Sequence, residues 1–380
     1  PGRGPFFYAG WAEIPSRRYA VRAMTAPFPW KSVRVISEDS GNYRYGCHMS
    51  MYSRIAATGS ALPKTRISNA ELATRLASIG VETNDEWIRT RTGIEARRFA
   101  DPTLGETTTE LAAAAAKEAM ERARFEPDSI DLIVVATTTP DMVFPSTAAH
   151  VQSMLGCTGC AAFDVQAVCA GFIYALNAAD AMLRAGPYRR ALVVGSETMS
   201  RVIDFNDRST CVLFGDGAGA VALEASDAPG ILAARMYADG RYDEKVLGLT
   251  ACLSNGKIAG SPFINMDGRQ VFKLAVDGLT GSAEEVARLA GVSPSEVKLF
   301  VPHQANLRIM TMVAKKLGIP DEAMVKTVSE HGNTSAASVP LALDAAVKAN
   351  RVKEGDLVLL QAVGAGMAWG SAILKWRANV

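Results

Sequence analysis

Beyond residue 50, apolar β-branched runs alternate with alanine- and glutamate-rich runs, a pattern typical of strands that alternate with helices. The apolar run at 130–141 ends in a polar loop, and the run at 297–306 repeats that design. A helical pattern precedes each of them, at 111–124 and at 282–291. This order predicts an α/β fold with a predominantly parallel sheet covered by helices.

The same succession of elements occurs twice along the chain. Each apolar run is followed by a predicted strand, turn and helix, at 164–183 in the first half and at 326–347 in the second. Each half then has an apolar strand and a glycine-rich strand. The halves read as copies offset by roughly 150 to 170 residues, and this alignment makes Cys169 correspond approximately to Asn333.

The duplication predicts two halves, at 51–227 and at 228–380, which follow an N-terminal extension. Residues 1–50 hold nine of the 27 aromatic residues without a helical or alternating period, so we expect them to lie outside the folded unit. A membrane-binding or partner-binding arm is the alternative for this extension.

Composition narrows the functional classes. The chain is 48% hydrophobic and 21% charged, as in an ordinary globular protein. Residues 51–380 carry 33 Lys/Arg against 36 Asp/Glu, so we expect no nucleic-acid partner. No apolar run is long enough to span a membrane, and no secretory signal is recognisable, so we expect no membrane partner.

Six scattered cysteines are too few for a disulfide framework and fit a reducing cytoplasm. Cys157 and Cys160 have the C-x-x-C spacing, but no second pair or histidine accompanies them. We expect two thiols in a turn and no metal site. A redox protein that uses this pair is the alternative.

Three polar residues are candidates for chemistry. Cys169 lies where a predicted strand gives way to a helix, and a helix N-terminus is expected to lower the pKa of its thiol. His303 follows an apolar strand, and Asn333 precedes a predicted helix in the second half. Packing the halves about a pseudo-twofold axis would bring the three residues into one cleft at the carboxyl ends of the strands. The alternatives are a buried, inert cysteine and an asparagine that caps its helix.

The glycine-rich stretches do not fit nucleotide sites. The GDGAG at 215–219 lacks the full G-x-G-x-x-G spacing, and no G-x-x-x-x-G-K-[ST] is present. The small residues at 364–366 would instead let backbone N–H groups approach a substrate oxygen closely.

These residues lie in motifs that together resemble a known family. DVQAVCAGFIYAL, VPHQANLRIM and HGNTSAAS hold the three candidates, and NDEWIRTRTGI, FPSTAAHVQSMLG, FGDGAGA and WGSAI accompany them in order. From Met51 to Arg377 the chain resembles the β-ketoacyl-acyl carrier protein synthase III family of the thiolase fold. The resemblance implies a thiolase-like α/β fold, in which two duplicated βαβαβαββ halves form a five-layer αβαβα sandwich.

The resemblance also implies a decarboxylative Claisen condensation that starts fatty-acid synthesis. Cys169 would attack a short acyl-CoA, with acetyl-CoA or propionyl-CoA as the expected starter, to form an acyl-enzyme. His303 and Asn333 would stabilise the enolate formed when malonyl-acyl carrier protein loses CO₂. The backbone N–H groups of Cys169 and Ala365 would form the oxyanion hole. No cofactor is expected, because acyl-CoA is a substrate.

Binding residues are implied in the same way, together with a homodimer. Those for coenzyme A are Trp87, Arg91, Arg208 and Gly268. Phe144 would reach across the dimer interface to bound the acyl pocket. The residues for acyl carrier protein are Arg308, Lys315 and Lys316, of which the first two share a helix face.

The sequence departs from the family pattern near its end. Ala365 stands where the family usually has glycine, and Met367 and Ala368 replace the usual Phe-Thr pair. Alanine keeps the N–H but disfavours a positive φ. Besides the redox protein, two alternative functions remain: a related condensing enzyme or acyltransferase of quinolone or polyketide biosynthesis, and a noncatalytic acyl-CoA-binding or scaffold protein.

Overall fold

The structure is a computed structural model that describes residues 52–377. The predicted extension at 1–50 lies outside the described residues. The strands, in chain order, are β1 Tyr52–Ala61, β2 Thr65–Ser68, β3 Ala96–Phe99, β4 Leu132–Ala136, β5 Ala161–Val165, β6 Arg190–Thr198, β7 Asp216–Ser226, β8 Ile231–Ala238, β9 Leu247–Gly248, β10 Cys252–Ser254, β11 Lys257–Ala259, β12 Asn265–Met266, β13 Leu299–Pro302, β14 Leu357–Gly364 and β15 Ala368–Lys375. The α-helices are α1 Asn69–Ala77, α2 Asp85–Thr92, α3 Thr108–Ala123, α4 Thr147–Leu155, α5 Gly171–Ala185, α6 Arg208–Cys211, α7 Gly268–Ala290, α8 Leu307–Leu317, α9 Val328–His331 and α10 Ser338–Lys348.

Two sheets of the same topology confirm the predicted duplication. The first has the order β1-β7-β6-β4-β5, and the second has the order β8-β15-β14-β13. In the first sheet β1-β7 and β7-β6 are antiparallel and β6-β4 is parallel. In the second sheet β8-β15 and β15-β14 are antiparallel and β14-β13 is parallel, so β8, β13, β14 and β15 correspond to β1, β4, β6 and β7. The predicted division after residue 227 falls in the connection between β7 and β8, and that each half is a domain stays a prediction.

Five layers follow from the way each strand divides its side chains between two faces. In β4, Leu132 and Val134 pack into a central cluster with α5 and α10, whereas Ile133 and Val135 face α3 and α4. In β14, Leu360 faces the central cluster and Leu359 faces α7 and α8. Because both faces are covered, the strands are continuous apolar runs. The predicted αβαβα sandwich is therefore confirmed.

The second half differs from the prediction at one strand. The segment after α8 was expected to begin with a strand, but only a parallel bridge between Phe300 and Met324 stands at that place, and α9 follows. The Gln304 side chain explains the difference, because its Oε1 accepts from the backbone N–H groups of Thr327 and Val328, at 2.8 and 3.0 Å. Backbone donors that bond a side chain cannot extend a ladder. The helix at 282–291 is also the end of a longer helix, α7.

Within residues 52–377 no helix is both long enough and apolar enough to cross a membrane.

A buried carboxylate joins α10 to the first sheet. Asp344 is fully buried and accepts from Thr58 and Ser60, each at 2.6 Å. It also pairs with Arg122 at 3.0 Å and with Lys348 at 2.7 Å. The hydrogen bonds from Lys348, Ser60 and Thr58 hold the pKa of Asp344 below its ordinary value although burial raises it.

Replacing this carboxylate tests the contact between the helix layer and the sheet. We expect Asp344→Ala to lower the free energy of unfolding by about 2 kcal/mol, because buried donors lose their acceptor. Urea denaturation followed by circular dichroism measures the change. Glu330→Ala is the matched control, since it removes an exposed ion pair with Arg66 and should cost under about 0.5 kcal/mol. Equal losses in the two variants would contradict the assignment.

Candidate active site

One cavity of about 1080 Å³ brings the three candidate residues together. Cys169, His303 and Asn333 all line it. They lie beyond the carboxyl ends of β5 and β13 and before the start of α10, the part of an α/β sheet where ligands bind. Each is nearly buried, with 4 to 7% of its surface exposed.

The backbone turns sharply at Val168–Ala170, in a strained conformation, and we call this turn an elbow. Val168 has a φ of +48°, a conformation that β-branched residues rarely adopt. A short 3-10 turn at Val168–Ala170 follows and leads directly into α5. Gly364 approaches this turn so closely that an added Cβ would lie 2.8 Å from the Cys169 nitrogen. Strain of this kind, held in place by surrounding packing, is common at active sites.

The second half contains an equivalent elbow at Ser335–Ala337. Its position corrects the expected alignment of Cys169 with Asn333. Ser335 has a φ of +48° and begins a 3-10 turn that leads into α10. Matching the two strained residues makes Cys169 correspond to Ala336 rather than to Asn333. Asn333 therefore belongs to the loop before its elbow, and from there it lines the cavity.

The protonation of Cys169 is also the reverse of the expectation. Burial raises the pKa of its thiol to about 12, a hydrogen bond with Ser335 opposes the rise, and the carboxylate of Glu197 adds to it. A helix start lowers the pKa of a thiol by a modest amount, whereas desolvation in an apolar interior raises it by more. The resting Cys169 side chain is consequently a neutral thiol.

His303 is a neutral imidazole. Burial lowers the pKa of His303 to about 3. Its Nδ1 lies 2.6 Å from Ser338 Oγ, which also accepts from the N–H of Gln304 at 3.4 Å. We assign the hydroxyl hydrogen of Ser338 to Nδ1, and this pairing leaves the proton on Nε2. The tautomer inferred from this network makes His303 a hydrogen-bond donor.

Asn333 is fixed at both its backbone and its side chain. Its N–H donates to the carbonyl of Leu213 at 2.9 Å, and its own carbonyl accepts from Gly215 at 3.0 Å. Its Oδ1 accepts from the N–H of Ser335 at 2.9 Å. Because Oδ1 is engaged, the amide NH₂ is the group left for the cavity. The site thus has two neutral donors, on His303 and Asn333.

Sequence reasoning missed a buried carboxylate, Glu197, which lies at the end of β6 and is completely buried. It accepts from the hydroxyl of Thr139 at 2.6 Å and from that of Ser335 at 3.1 Å. A charged residue directly after a buried apolar strand, together with the run of three threonines at 137–139, was the signal that was available.

The loop after β14 forms another wall of the cavity. Ala365, Gly366 and Ala368 line it. Ala365 does not have a positive φ, because the positive φ of this turn, +104°, falls on Gly366. The alanine in place of glycine therefore imposes no backbone strain, and its N–H is retained. A contribution of this N–H to an oxyanion hole stays a prediction.

The predicted coenzyme A residues divide into two groups. Gly268 lines the cavity at the start of α7. Trp87, Arg91 and Arg208 do not line it, but both arginines contact Trp87. The guanidinium groups of Arg91 and Arg208 lie 4.6 and 4.5 Å from the centroid of the Trp87 ring. A stacked adenine would have to displace one of these guanidinium groups.

The remaining predicted binding residues lie on the surface. Arg308 and Lys315 are exposed on α8, where Arg308 donates to the Thr90 carbonyl at 2.9 Å. Lys316 pairs with Asp277 at 3.2 Å. Phe144 is 82% exposed and does not line the cavity in this single chain.

Other groups of the sequence analysis take no part in the cavity. Cys157 and Cys160 are free thiols next to α4. Among residues 52–377 no group of three or more His, Cys, Asp or Glu side chains is arranged to hold a metal ion.

The duplicated fold, with a thiol, an imidazole and a carboxamide in one cavity, defines a condensing acyltransferase of the thiolase fold. The family profile of 3-oxoacyl-[acyl-carrier-protein (ACP)] synthase III matches residues 163–240, and its C-terminal counterpart matches residues 287–376. The crystal structure of a synthase III from Aquifex aeolicus VF5 is 46% identical and has a TM-score of 0.79, over 85% of this chain and 100% of that chain. The chain belongs to the 3-oxoacyl-[acyl-carrier-protein] synthase III family.

Two further solved structures show the breadth of the similarity. A synthase III from Pseudomonas aeruginosa PAO1 is 38% identical with a TM-score of 0.79, over 87% of this chain and 99% of that chain. The priming β-ketosynthase of the R1128 polyketide biosynthetic pathway is 37% identical with a TM-score of 0.80, over 86% of this chain and 97% of that chain. The resemblance and the enzyme class inferred from the sequence are confirmed.

The tautomer of His303 is directly measurable. We expect ¹H–¹⁵N spectra of histidine-labelled protein to show Nε2 protonated and Nδ1 unprotonated, without titration between pH 5 and 8, because the pKa lies near 3. A His303→Gln variant assigns the resonance. Ser338→Ala should change the tautomer by removing the donor to Nδ1, and an imidazolium signal at pH 7 would contradict the assignment.

Proposed function

We propose that this protein is a 3-oxoacyl-acyl carrier protein synthase III that condenses a short acyl-CoA, acetyl-CoA in the first place, with malonyl-acyl carrier protein. The observation that carries the proposal is the meeting of Cys169, His303 and Asn333 on one cavity in a chain of this family. The reaction starts fatty-acid synthesis by a decarboxylative Claisen condensation.

In the first half-reaction the Cys169 sulfur attacks the thioester carbonyl and coenzyme A leaves. The negative charge that develops on the carbonyl oxygen is stabilised by the N–H groups of Cys169 and Ala365. The close approach of Gly364 to the Cys169 elbow supports this pairing, since it brings the two backbone segments together. The product is an acyl-enzyme.

In the second half-reaction malonyl-acyl carrier protein loses CO₂, and the carbanion attacks the acyl group on Cys169. His303 Nε2–H and the Asn333 amide donate to the thioester oxygen as enolate charge develops. Both groups are neutral, and each stabilises the enolate oxygen by donating a hydrogen bond without giving up its proton. Decarboxylation generates the carbanion, so no base has to remove a carbon-bound proton, and no cofactor is part of the proposal.

Coenzyme A and acyl carrier protein bind to separate surfaces of the protein. Trp87, Arg91 and Arg208 bind the adenine nucleotide of coenzyme A, with one guanidinium moving to admit the ring. Gly268, in the cavity wall, lies along the pantetheine. Arg308, Lys315 and Lys316 form the basic face of α8 that binds the acidic acyl carrier protein.

A homodimer completes the acyl pocket in this proposal. Val143 and Phe144 are 72% and 82% exposed, and they support this proposal because contiguous exposed apolar side chains are characteristic of interaction sites. Phe144 would enter the pocket of the second subunit and restrict it to short starters. The sparse cysteines support a cytoplasmic setting.

The 37% identity to a priming β-ketosynthase of a polyketide pathway favours a second candidate, priming of polyketide synthesis by the same chemistry. The Met367–Ala368 pair, with Ala368 in the cavity wall, is compatible with a different starter. A preference for a starter other than acetyl-CoA would favour this candidate.

Intact-protein mass spectrometry tests the proposal. After mixing with acetyl-CoA we expect an acetyl adduct on the wild type and none on Cys169→Ser, because a serine hydroxyl is a weaker nucleophile. A panel of longer acyl-CoAs ranks the starters. Cys252→Ser is the matched control, since it removes an exposed thiol and should keep the adduct. No adduct with any acyl-CoA would refute acyl-CoA priming.

His303→Ala should separate the two half-reactions. Loss of one donor to the enolate should slow release of CO₂ from malonyl-acyl carrier protein by about 100- to 1000-fold. Acyl-enzyme formation should change by less than about tenfold, because His303 is not the oxyanion donor of that step. Rapid-quench measurement of the adduct and of ¹⁴CO₂ gives both rates. Equal losses in the two rates would contradict the division of roles.

A further inference from the structure

Acyl transfer to Cys169 requires its thiol proton to leave, and the imidazole of the site is a poor acceptor. The tautomer assigned to His303 above carries a proton on Nε2, and Ser338 Oγ lies 2.6 Å from Nδ1. Burial lowers the pKa of His303 to about 3, so an imidazolium is strongly disfavoured there. Another group must accept the proton.

The carboxylate of Glu197 is the candidate acceptor for the proton of the Cys169 thiol. Glu197 is completely buried, and within residues 52–377 its carboxylate accepts hydrogen bonds from backbone amide and hydroxyl groups. The donors are Thr137 Oγ1 at 3.3 Å, Thr138 N at 3.1 Å, Thr138 Oγ1 at 2.9 Å, Thr139 N at 3.1 Å, Thr139 Oγ1 at 2.6 Å and Ser335 Oγ at 3.1 Å. Burial raises the pKa of Glu197 against these hydrogen bonds, which favours uptake of a proton compared with an exposed glutamate.

Ser335 connects this carboxylate to the nucleophile. Its hydroxyl donates to Glu197 Oε1 at 3.1 Å, and it lies close enough to the Cys169 sulfur to lower the pKa of that thiol. The strained backbone at Ser335 and its N–H bond to Asn333 Oδ1 fix the side chain between the two groups. A hydroxyl can accept one proton while it gives up its own.

Electrostatics favour a transfer over a loss to solvent. The charged or titratable groups that face the thiol are Glu197, on β6, and the neutral His303, which follows β13. If the thiol lost its proton to water, two anions would lie together in a buried site. Passing the proton to Glu197 keeps a single negative charge there throughout.

We propose that Glu197 is a positioning residue that stores the proton of the nucleophile, with Ser335 as the relay; this inference rests on the proposed function. As the sulfur bonds to the acyl carbon, the S–H bond breaks and its proton passes to Ser335 Oγ, whose own proton passes to Glu197 Oε1. The C–S bond of the thioester breaks with its electron pair, and the coenzyme A thiolate takes a proton from solvent.

The same proton returns in the condensation. When the carbanion attacks the acyl group, the bond from the acyl carbon to the Cys169 sulfur breaks and leaves a thiolate. Glu197 gives its proton to Ser335, and Ser335 gives its own to the thiolate. The thiol and the carboxylate are regenerated, and the single proton consumed in the cycle is the one on coenzyme A.

Glu197→Gln tests the relay, because the amide keeps the shape of the side chain but cannot take up the proton. At pH 7 we expect acyl-enzyme formation from acetyl-CoA to fall by at least about 100-fold, in the range of general-base catalysis. The residual rate should rise about tenfold per pH unit from pH 6 to 9, because the thiol then has to lose its proton to solvent. Rapid mixing followed by intact-protein mass spectrometry gives this rate.

The second half-reaction supplies the readout that distinguishes a relay from a structural role. Protein that has been fully acetylated beforehand should release CO₂ from malonyl-acyl carrier protein at a rate within about threefold of the wild type. Ser335→Ala should show the same division, since its backbone N–H still holds Asn333. Asp180→Asn is the matched control, because it replaces a buried carboxylate that does not line the cavity. Asp180 accepts a hydrogen bond from Ser53 at 2.8 Å. It should leave both rates unchanged.

Two results would overturn the relay. If Glu197→Gln and Ser335→Ala are acetylated as fast as the wild type or faster, Glu197 acts only through its charge. If acylation and CO₂ release fall equally in both variants, the network is purely structural. Failure of the wild type itself to form an adduct would instead refute the proposed function, so the two failures are distinguishable.

Discussion

Two helices begin against each other in the middle layer of this protein, and the site depends on that contact. An added Cβ on Gly171, the first residue of α5, would lie 3.5 Å from the Ala336 side chain, and one on Gly195 would collide with the Ala336 carbonyl. Only small residues allow the elbows at Val168 and Ser335 to meet in this way. The contact brings Cys169 next to Ser335 although 166 positions separate them in the sequence.

The low polarity of this contact decides the chemistry. Desolvation raises the pKa of the Cys169 thiol and lowers that of the His303 imidazole, so both groups are neutral at rest. Neutral donors are worth more in such an environment than in water, because the low local dielectric strengthens their interaction with developing charge. Glu197 is the buried carboxyl group beside the thiol, and its charge in the ionised form raises the pKa of Cys169 further.

The sequence predicted what depends on local pattern. The helix after Cys169, the strand before His303 and the duplication all follow from apolar periodicity, and the family motifs supplied the roles. The direction of the Cys169 pKa was wrong, because burial is set by the packing of two halves and cannot be read from one helix start. The strand expected near residue 326 is missing because of one side chain, that of Gln304, whose contacts are not local.

The departures at the end of the chain bear on the substrate more than on the backbone of the site. The N–H and carbonyl of Met367 pair with the carbonyl and N–H of Asp239, at 3.1 and 2.8 Å, so β15 begins at a fixed place. Gly366 takes the positive φ of the turn, which leaves Ala365 in an ordinary conformation. Met367 is buried in the core behind the cavity, whereas Ala368 lines the cavity with a side chain smaller than threonine. A change of wall volume at a fixed backbone alters which acyl group fits and leaves the hydrogen-bond donors of each half-reaction in place.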